Sequence, residues 1–320
     1  MATYPASFAH GLMFHRFHRQ GEPAAGQGSI SDAAFEAMLR AIGSERILAP
    51  QEWMSRANAG LLQPADLCIT FDDGLKNQVE VALPVLERLG LKAFWFIYSA
   101  ALRGSYDRNE IANLLATRYF ASFNAYVQQF EALTTVSPKA FESADWHYYA
   151  QGLKARFPFY SASDVRYRYM RNHLLSLTEF EAAVDRLLAL LGLDLHAVAG
   201  QLWMTADQVG ALHTSGHVIG MHSYSHPFSL SALSARDQRV EYQANFDDLT
   251  QITGQPPRSM SHPLNSYSPA TLEILANLGI ECGFCSNMQP PGGHASVNPS
   301  PLEFAREDST TLLALTASSG

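Results

Sequence analysis

The chain has 320 residues, of which 47% are hydrophobic and 16% charged, so it carries enough apolar side chains for a sizeable core and disorder is not its default state. Its formal charge is −8 and no run of five or six like charges occurs, so the electrostatic footprint of a nucleic-acid or anionic-membrane binder is missing. A neutral or locally recognised substrate fits better, with neither nucleic acid nor membrane insertion expected.

The N-terminal stretch MATYPASFAHGLMF lacks a basic region followed by an apolar segment and a cleavage site, and nowhere do about 18 apolar residues follow one another. Three cysteines, Cys68, Cys282 and Cys285, are too few and odd in number for a disulfide framework. A reducing cytoplasm is the compartment these features suggest. Cys282 and Cys285 spell C-x-x-C without the second pair of a zinc site, and they read as cysteines in or beside a strand.

In chain order, the apolar stretch 8–14 comes first, followed by a helix over about 31–42 with Ser31 as N-cap, Phe35, Met38, Leu39 and Ile42 on one face and Gly43 as its stop. DLCITF (66–71) reads as a buried strand delivering Asp72, Asp73 and Gly74 at its C-terminal end, and a helix over 77–89 ends at Gly90. KAFWFIY (92–98) is a continuous apolar run of the kind that parallel strands buried on both faces show. The alternation resumes with a helix over 205–213, a strand over 217–221 that delivers His222, a helix over 234–250 and a strand near 258–261. A helix over 269–278, an extended segment over 280–286 and a Gly/Ser/Pro-rich loop over 289–301 complete it. Strands alternating with helices imply a parallel sheet, whose sites sit at the C-terminal ends of strands.

Between about 102 and 202 the pattern changes to mostly helical, Tyr- and Phe-rich sequence, and about 100 residues is too long for a loop in a compact domain. The expected organisation is therefore a first barrel part over 1–101, a helical insertion over 102–202 that lids the barrel mouth and shapes the substrate pocket, and a second barrel part over 203–320. Within the insertion Trp146, Tyr148 and Tyr149 are candidates to stack on a ring, although aromatics at helical spacing more often form core.

Two adjacent carboxylates behind a buried strand need compensation. A divalent metal supplies it, and His222 and His226, four apart, would share one face if they lie on a helical turn. A carboxylate and two imidazoles leave coordination positions open, which marks a catalytic rather than a structural site. Such a metal activates water and polarises a carbonyl, a spare carboxylate can accept a proton, and a histidine can donate one to a leaving nitrogen. Taken singly, Asp-Asp-Gly is a common solvated turn, and H-x-x-x-H arises by chance among 12 histidines; at two strand ends together they are harder to dismiss.

Thr70-Phe71-Asp72-Asp73-Gly74 and His222-Ser-Tyr-Ser-His226 resemble the first and second motifs of the polysaccharide deacetylases, the NodB-like carbohydrate esterase family 4. The resemblance, over about residues 8–100 and 203–310, implies a distorted (β/α)7-type barrel and removal of an acetyl group from a sugar. It implies Asp72 as general base and Asp73, His222 and His226 as ligands of a divalent metal, most often zinc, with cobalt, nickel or manganese compatible.

Two departures stand out. At the third motif Ser261-His262-Pro263-Leu264-Asn265 keeps Pro263 but has Ser261 where the family has an Arg, so the group that orients the base must come from elsewhere, with Arg306 or Arg258 as a candidate. The family's late Leu-x-x-His is absent after residue 300, whereas Leu12-Met13-Phe14-His15 has that pattern and resembles circularly permuted members, which makes His15 the expected general acid; the alternative is a structurally bonded histidine at a strand end. Arg306-Glu307-Asp308 is similar to a late Arg-x-Asp of that subgroup, with Arg306 either in the site or in a surface ion pair. Pro263, Asn265 and Arg306 are the expected substrate-binding residues, and His262 and His294 could reach the site. The implied activity is metal-dependent deacetylation of an N-acylated amino sugar or glycan precursor. Hydrolysis of a non-carbohydrate amide, or glycan binding without turnover, are the alternatives.

Overall fold

Seven short strands, all parallel, carry the fold in the computed structural model, which describes residues 4, 6–22, 24, 26, 28–288 and 297–317. In chain order the strands are β1 (His10–Phe14), β2 (Phe17–His18), β3 (Ile30–Ser31), β4 (Leu67–Phe71), β5 (Ala93–Ile97), β6 (Val218–Met221), β7 (Ser259–Ser261), β8 (Cys282–Phe284) and β9 (Arg306–Asp308). β2 and β3 pair by themselves, and the main sheet runs β8-β7-β6-β5-β4-β1-β9.

Its two edges all but meet. Phe284 bridges Phe304 in parallel, and the Gly283 and Cys285 amides donate to the carbonyls of Pro301 and Phe304. The architecture is the expected (β/α)7-type barrel. Alternation along each strand divides its side chains between two cores. Cys68, Phe94, Phe96, Cys282, Phe284 and Phe304 pack inside with Trp53 of the helix Pro50–Ala59. Ile69, Phe71, Trp95 and Met221 face outward into the layer shared with helices such as Asp32–Ile42. The Ser31 hydroxyl caps that helix by accepting from Ala34 N at 3.1 Å, and Phe35, Met38, Leu39 and Ile42 are buried.

Several elements differ from the sequence reading. The helix expected over 77–89 begins as a π-helical stretch, Gln78–Ala82, before the α-helix Leu83–Leu89. Pro84 has no N–H to return to the Glu80 carbonyl, which accepts instead from Arg19 at 3.2 Å, so the ladder opens there. The helix Pro50–Ala59, strand β9 and the helix Ser309–Ala317 were not foreseen. β9 reads Arg-Glu-Asp, a polar triplet without any strand signature. Much of the loop expected over 289–301, with His294, lies outside the described residues.

The chain divides into two compact units, residues 1–105 with 203–320, and residues 106–202. The second unit is helical, and Tyr126, Phe130, Tyr167 and Phe180 form its centre, with the Tyr126 and Tyr167 hydroxyls 3.2 Å apart. There Trp146 and Tyr149 pack against Tyr169, whereas Tyr148 is 85% exposed.

Closure of the barrel depends on a glycine. A Cβ at Gly283 would stand 2.4 Å from the Leu302 carbonyl oxygen, and that atom is backbone. Gly283→Ala should therefore cost about 1–3 kcal/mol of stability, read from urea unfolding midpoints; an unchanged midpoint would mean that residues 301–304 yield freely.

Candidate active site

Among the described residues, five other than glycine have positive φ, and all follow strand ends: Asp73 (76°) after β4, Ser223 (61°) and His226 (54°) after β6, and Leu264 (50°) and Asn265 (57°) after β7. Such conformations persist only where the surroundings impose them, and they gather at functional sites. The three strands thus converge their strained turns on one end of the barrel.

Asp72 lies at the centre, 2% exposed, with its amide donating to Phe14 O at 3.1 Å. Arg306, fully buried, grips it with two parallel bonds, Nη1 to Oδ1 at 2.7 Å and Nη2 to Oδ2 at 2.8 Å. Arg306 Nε donates to Cys285 O at 2.6 Å and Nη1 also to Thr70 Oγ1 at 3.2 Å. To reach β4 from β9 this side chain passes over β1, where Arg306 pairs in register with Gly11. A Cβ at Gly11 would come within 2.9 Å of Arg306 Cγ. Burial pushes the Asp72 carboxyl up, but the charges of Arg306, His222 and His15 outweigh it and hold it below its ordinary value.

Arg306 is therefore the group that orients the Asp72 carboxylate. Its expected alternative roles, as a surface ion pair or a substrate contact, give way because the guanidinium is buried and committed to Asp72, Thr70 and Cys285. Arg258 does not serve here; it pairs with Glu281.

Beside Asp72, Asp73 Oδ1 stands 3.5 Å from His222 Nε2 and 3.6 Å from His226 Nε2. One ligand atom from each of the three lies within 4.8 Å of the others. The expectation of a helical turn is corrected: 222–226 is a loop, its two imidazoles brought together by the left-handed Ser223 and His226. Ser261 fixes the tautomer of His222. Its hydroxyl donates to Asp72 Oδ1 at 3.2 Å, so His222 Nδ1–H donates to that hydroxyl at 2.7 Å and to Ser261 O at 3.0 Å. Nε2 is thereby left to turn its lone pair towards Asp73.

Burial drives the Asp73 carboxyl up, but the neighbouring His222, His15 and His226 carry it well below its usual value. Burial lowers His222, yet the two carboxylates more than restore it and its value ends raised. With three donor atoms so close, the residues fit a divalent cation.

His15 follows β1 and is the more open group, its side chain 31% exposed and Nε2 3.8 Å from Asp72 Oδ2. Pro263 is buried, and Asn265 Oδ1 accepts from Ser286 N at 3.1 Å, so both shape the turn after β7. His262 lies stacked on Tyr267 with ring centroids 4.0 Å apart, and Nε2 bonds to Leu302 O; burial holds its pKa down at about 3. It is a neutral structural group.

Other residues here escaped the sequence reading. Gln78, fully buried at the start of the π-helical stretch, donates from Nε2 to His15 O at 2.8 Å and Asp72 O at 2.6 Å, clamping the two strand ends. Asn245 accepts from His222 N and donates to Ile97 O, each at 3.0 Å, while Glu241 accepts from the amides of Tyr224 and Ser225. Gln, Asn and Glu on amphipathic helices look like solvated positions, and no signal in the sequence separates them from such. Gly11 alone carried a hint, as a glycine inside an apolar strand.

Residues 191–283 match the family model described as polysaccharide deacetylase. The matched span holds His222, His226 and Ser261 but not the Asp72–Asp73 pair. Among solved structures, the Streptococcus pyogenes deacetylase PplD in complex with acetate aligns over 95% of this chain and 93% of its own, with a TM-score of 0.54 at 16% identity. IcaB from Ammonifex degensii aligns over 97% of each chain, with a TM-score of 0.54 and 15% identity. A de-N-acetylase from Aggregatibacter actinomycetemcomitans gives 0.53 and 12%, over 96% of this chain and 99% of its own. No curated protein matches in sequence. The chain is thus similar to polysaccharide deacetylases, by family model over part of its length and by fold over nearly all of it. No helix among the described residues is long and apolar enough to cross a membrane.

Removing Arg306 tests what holds Asp72. Arg306→Met leaves burial of Asp72 unopposed by its largest counter-charge, so the carboxyl pKa rises and the acid limb of the pH–rate profile moves to higher pH. The variant should also lose about 3–5 kcal/mol of stability, while Arg306→Lys restores the charge without the two-pronged grip and falls between. An acid limb that stays in place would remove Arg306 from control of the base.

Proposed function

We propose that the chain is a divalent-metal-dependent deacetylase that hydrolyses the N-acetyl amide of an amino sugar or glycan precursor. The observation that carries this reading is the convergence, at one barrel end, of a three-donor cluster (Asp73, His222, His226) with a carboxylate held by Arg306 and faced by His15. The family match over 191–283, and neighbours named as a deacetylase with acetate and as a de-N-acetylase, support the same class of chemistry.

Asp73, His222 and His226 would hold the metal, most commonly zinc in such a ligand set. A bound divalent ion lowers the pKa of water and polarises an acyl oxygen. Asp72 is kept ionised by Arg306 and takes a proton from the attacking water. His15, the partly exposed imidazole 3.8 Å from Asp72, gives a proton to the departing amine nitrogen. Ser261 keeps His222 and Asp72 in fixed relation. Pro263 and Asn265 set the turn that borders the substrate.

Asp72→Asn should abolish metal-dependent release of acetate from N-acetylglucosamine oligomers while the metal content stays near that of the wild type; the same turnover in the variant would end the enzymatic reading. His15→Ala should lower turnover by about 10²–10⁴ and also keep the metal. Loss of metal from His15→Ala, measured by elemental analysis, would make it a ligand instead of the acid. Dialysis against a chelator should remove activity, and zinc, cobalt, nickel or manganese added singly should restore it to different degrees. Turnover of simple acyl amides in preference to acetylated sugars would move the substrate class.

A further inference from the structure

The pairing of β1 with β4 stops one residue short of His15 and Asp72. Phe14 and Phe71 form its last register pair, and the Asp72 amide closes it on Phe14 O at 3.1 Å. Past that point the carbonyls of His15 and Asp72 both accept from Gln78 Nε2, at 2.8 and 2.6 Å. The two protons of one side-chain amide are thus spent on two strand ends.

How that amide is set shows what it serves. Gln78 is fully buried, and its Oε1 has no hydrogen-bond partner among the described residues. A buried acceptor left unmatched is costly, yet turning the amide over would bring Oε1 against two carbonyl oxygens. Its orientation is therefore dictated by the strand ends. The backbone beneath it is equally particular, because the π-helical stretch opens at Gln78, ahead of the Pro84 that breaks the ladder. Such turns are frequent at functional sites.

The two groups that Gln78 spans are not equally held. The Asp72 carboxylate has its own anchors, two bonds from Arg306 and one from Ser261. The His15 ring is 31% exposed and makes no hydrogen bond among the described residues; it only faces Asp72 Oδ2, 3.8 Å from its Nε2. Where that ring stands follows from its backbone, and Gln78 holds the backbone carbonyl.

We propose that Gln78 is a positioning residue, which fixes the His15 imidazole relative to the Asp72 carboxylate so that the proton donor stands where the leaving nitrogen departs. This role rests on the deacetylase reading given above. Releasing the clamp frees His15 more than Asp72, since only Asp72 keeps independent bonds. The loss then falls on the step that protonates the leaving group. An amide nitrogen departs only with a proton, whereas 4-nitrophenolate leaves an acetyl ester as the anion.

The test compares the full, metal-supplemented chain with Gln78→Met, which keeps the length of the side chain and removes both donors. On N-acetylglucosamine oligomers kcat should fall by about 10–10²-fold with KM nearly unchanged, on the scale expected for a misplacement of about 1 Å. Turnover of 4-nitrophenyl acetate should fall far less, and metal content should stay near that of the wild type. Gln78→Glu retains one donor as the neutral acid that burial favours, so it should fall between the two, and it carries the same comparison where Gln78→Met does not fold. Equal losses on amide and ester, or no loss on the amide, would overturn the proposal. A second arm needs no turnover: the His15 ring Cε1–H resonance should shift or broaden in Gln78→Met while that of His18, bonded to Ser29 Oγ at 2.8 Å, stays in place. An unmoved His15 resonance would also overturn it. A wild type inert towards both substrates with every metal would remove the deacetylase reading instead, and the resonances alone would then decide whether Gln78 holds His15.

Discussion

Everything at the candidate site of the barrel is arranged around the buried pairing of Asp72 with Arg306. A carboxylate and a guanidinium withdrawn from water each lose several kcal/mol of hydration, and the pair is tolerable only when geometry and hydrogen bonding are nearly complete. Here they are: both carboxylate oxygens are engaged by the guanidinium, and its remaining reach ends on Thr70 and Cys285. The pair joins the last strand of the sheet to β4 across β1, over a glycine, so the sheet edge and the Asp72 carboxylate are held by one interaction. Ser261 then extends the network to His222, which ties Asp72 to the three-donor cluster.

That network explains where backbone strain is stored. Left-handed residues other than glycine cost of order 1–3 kcal/mol each in the less favourable cases, and such turns need support from outside their own loops. Asn245 and Glu241, both on the helix Ala235–Thr253, hold the 222–226 loop, and Gln78 holds the ends of β1 and β4. The opposite barrel end carries none of these positive-φ side chains among the described residues.

Much of the barrel was legible in the sequence because its strands are continuous apolar runs between helices with clear caps. KAFWFIY and DLCITF announce buried parallel strands, and Ser31, Gly43 and Gly90 mark helix ends where the structure has them. β9 was not legible. Three residues of Arg-Glu-Asp carry no hydrophobic pattern, and their strand character comes from pairing with β1. The π-helical opening was hidden too, since it follows from the missing N–H of Pro84 together with a distant arginine that takes the released carbonyl.

By itself the sequence determined the chemistry on offer: two adjacent carboxylates and two spaced imidazoles at strand ends, with His15 at a third. Residue type and position along a strand are local properties, and local periodicity reports them. Only the tertiary structure decided which arginine serves Asp72, because Arg306 is 234 residues away and arrives through sheet order, not spacing. It also decided that His222 and His226 meet across a strained loop rather than along a helical turn, since a positive φ at Ser223 and His226 is imposed by contacts from other elements. Hydrogen-bond partners and burial are set by chain segments far apart in sequence, and those are the quantities that turn a list of candidate side chains into a site.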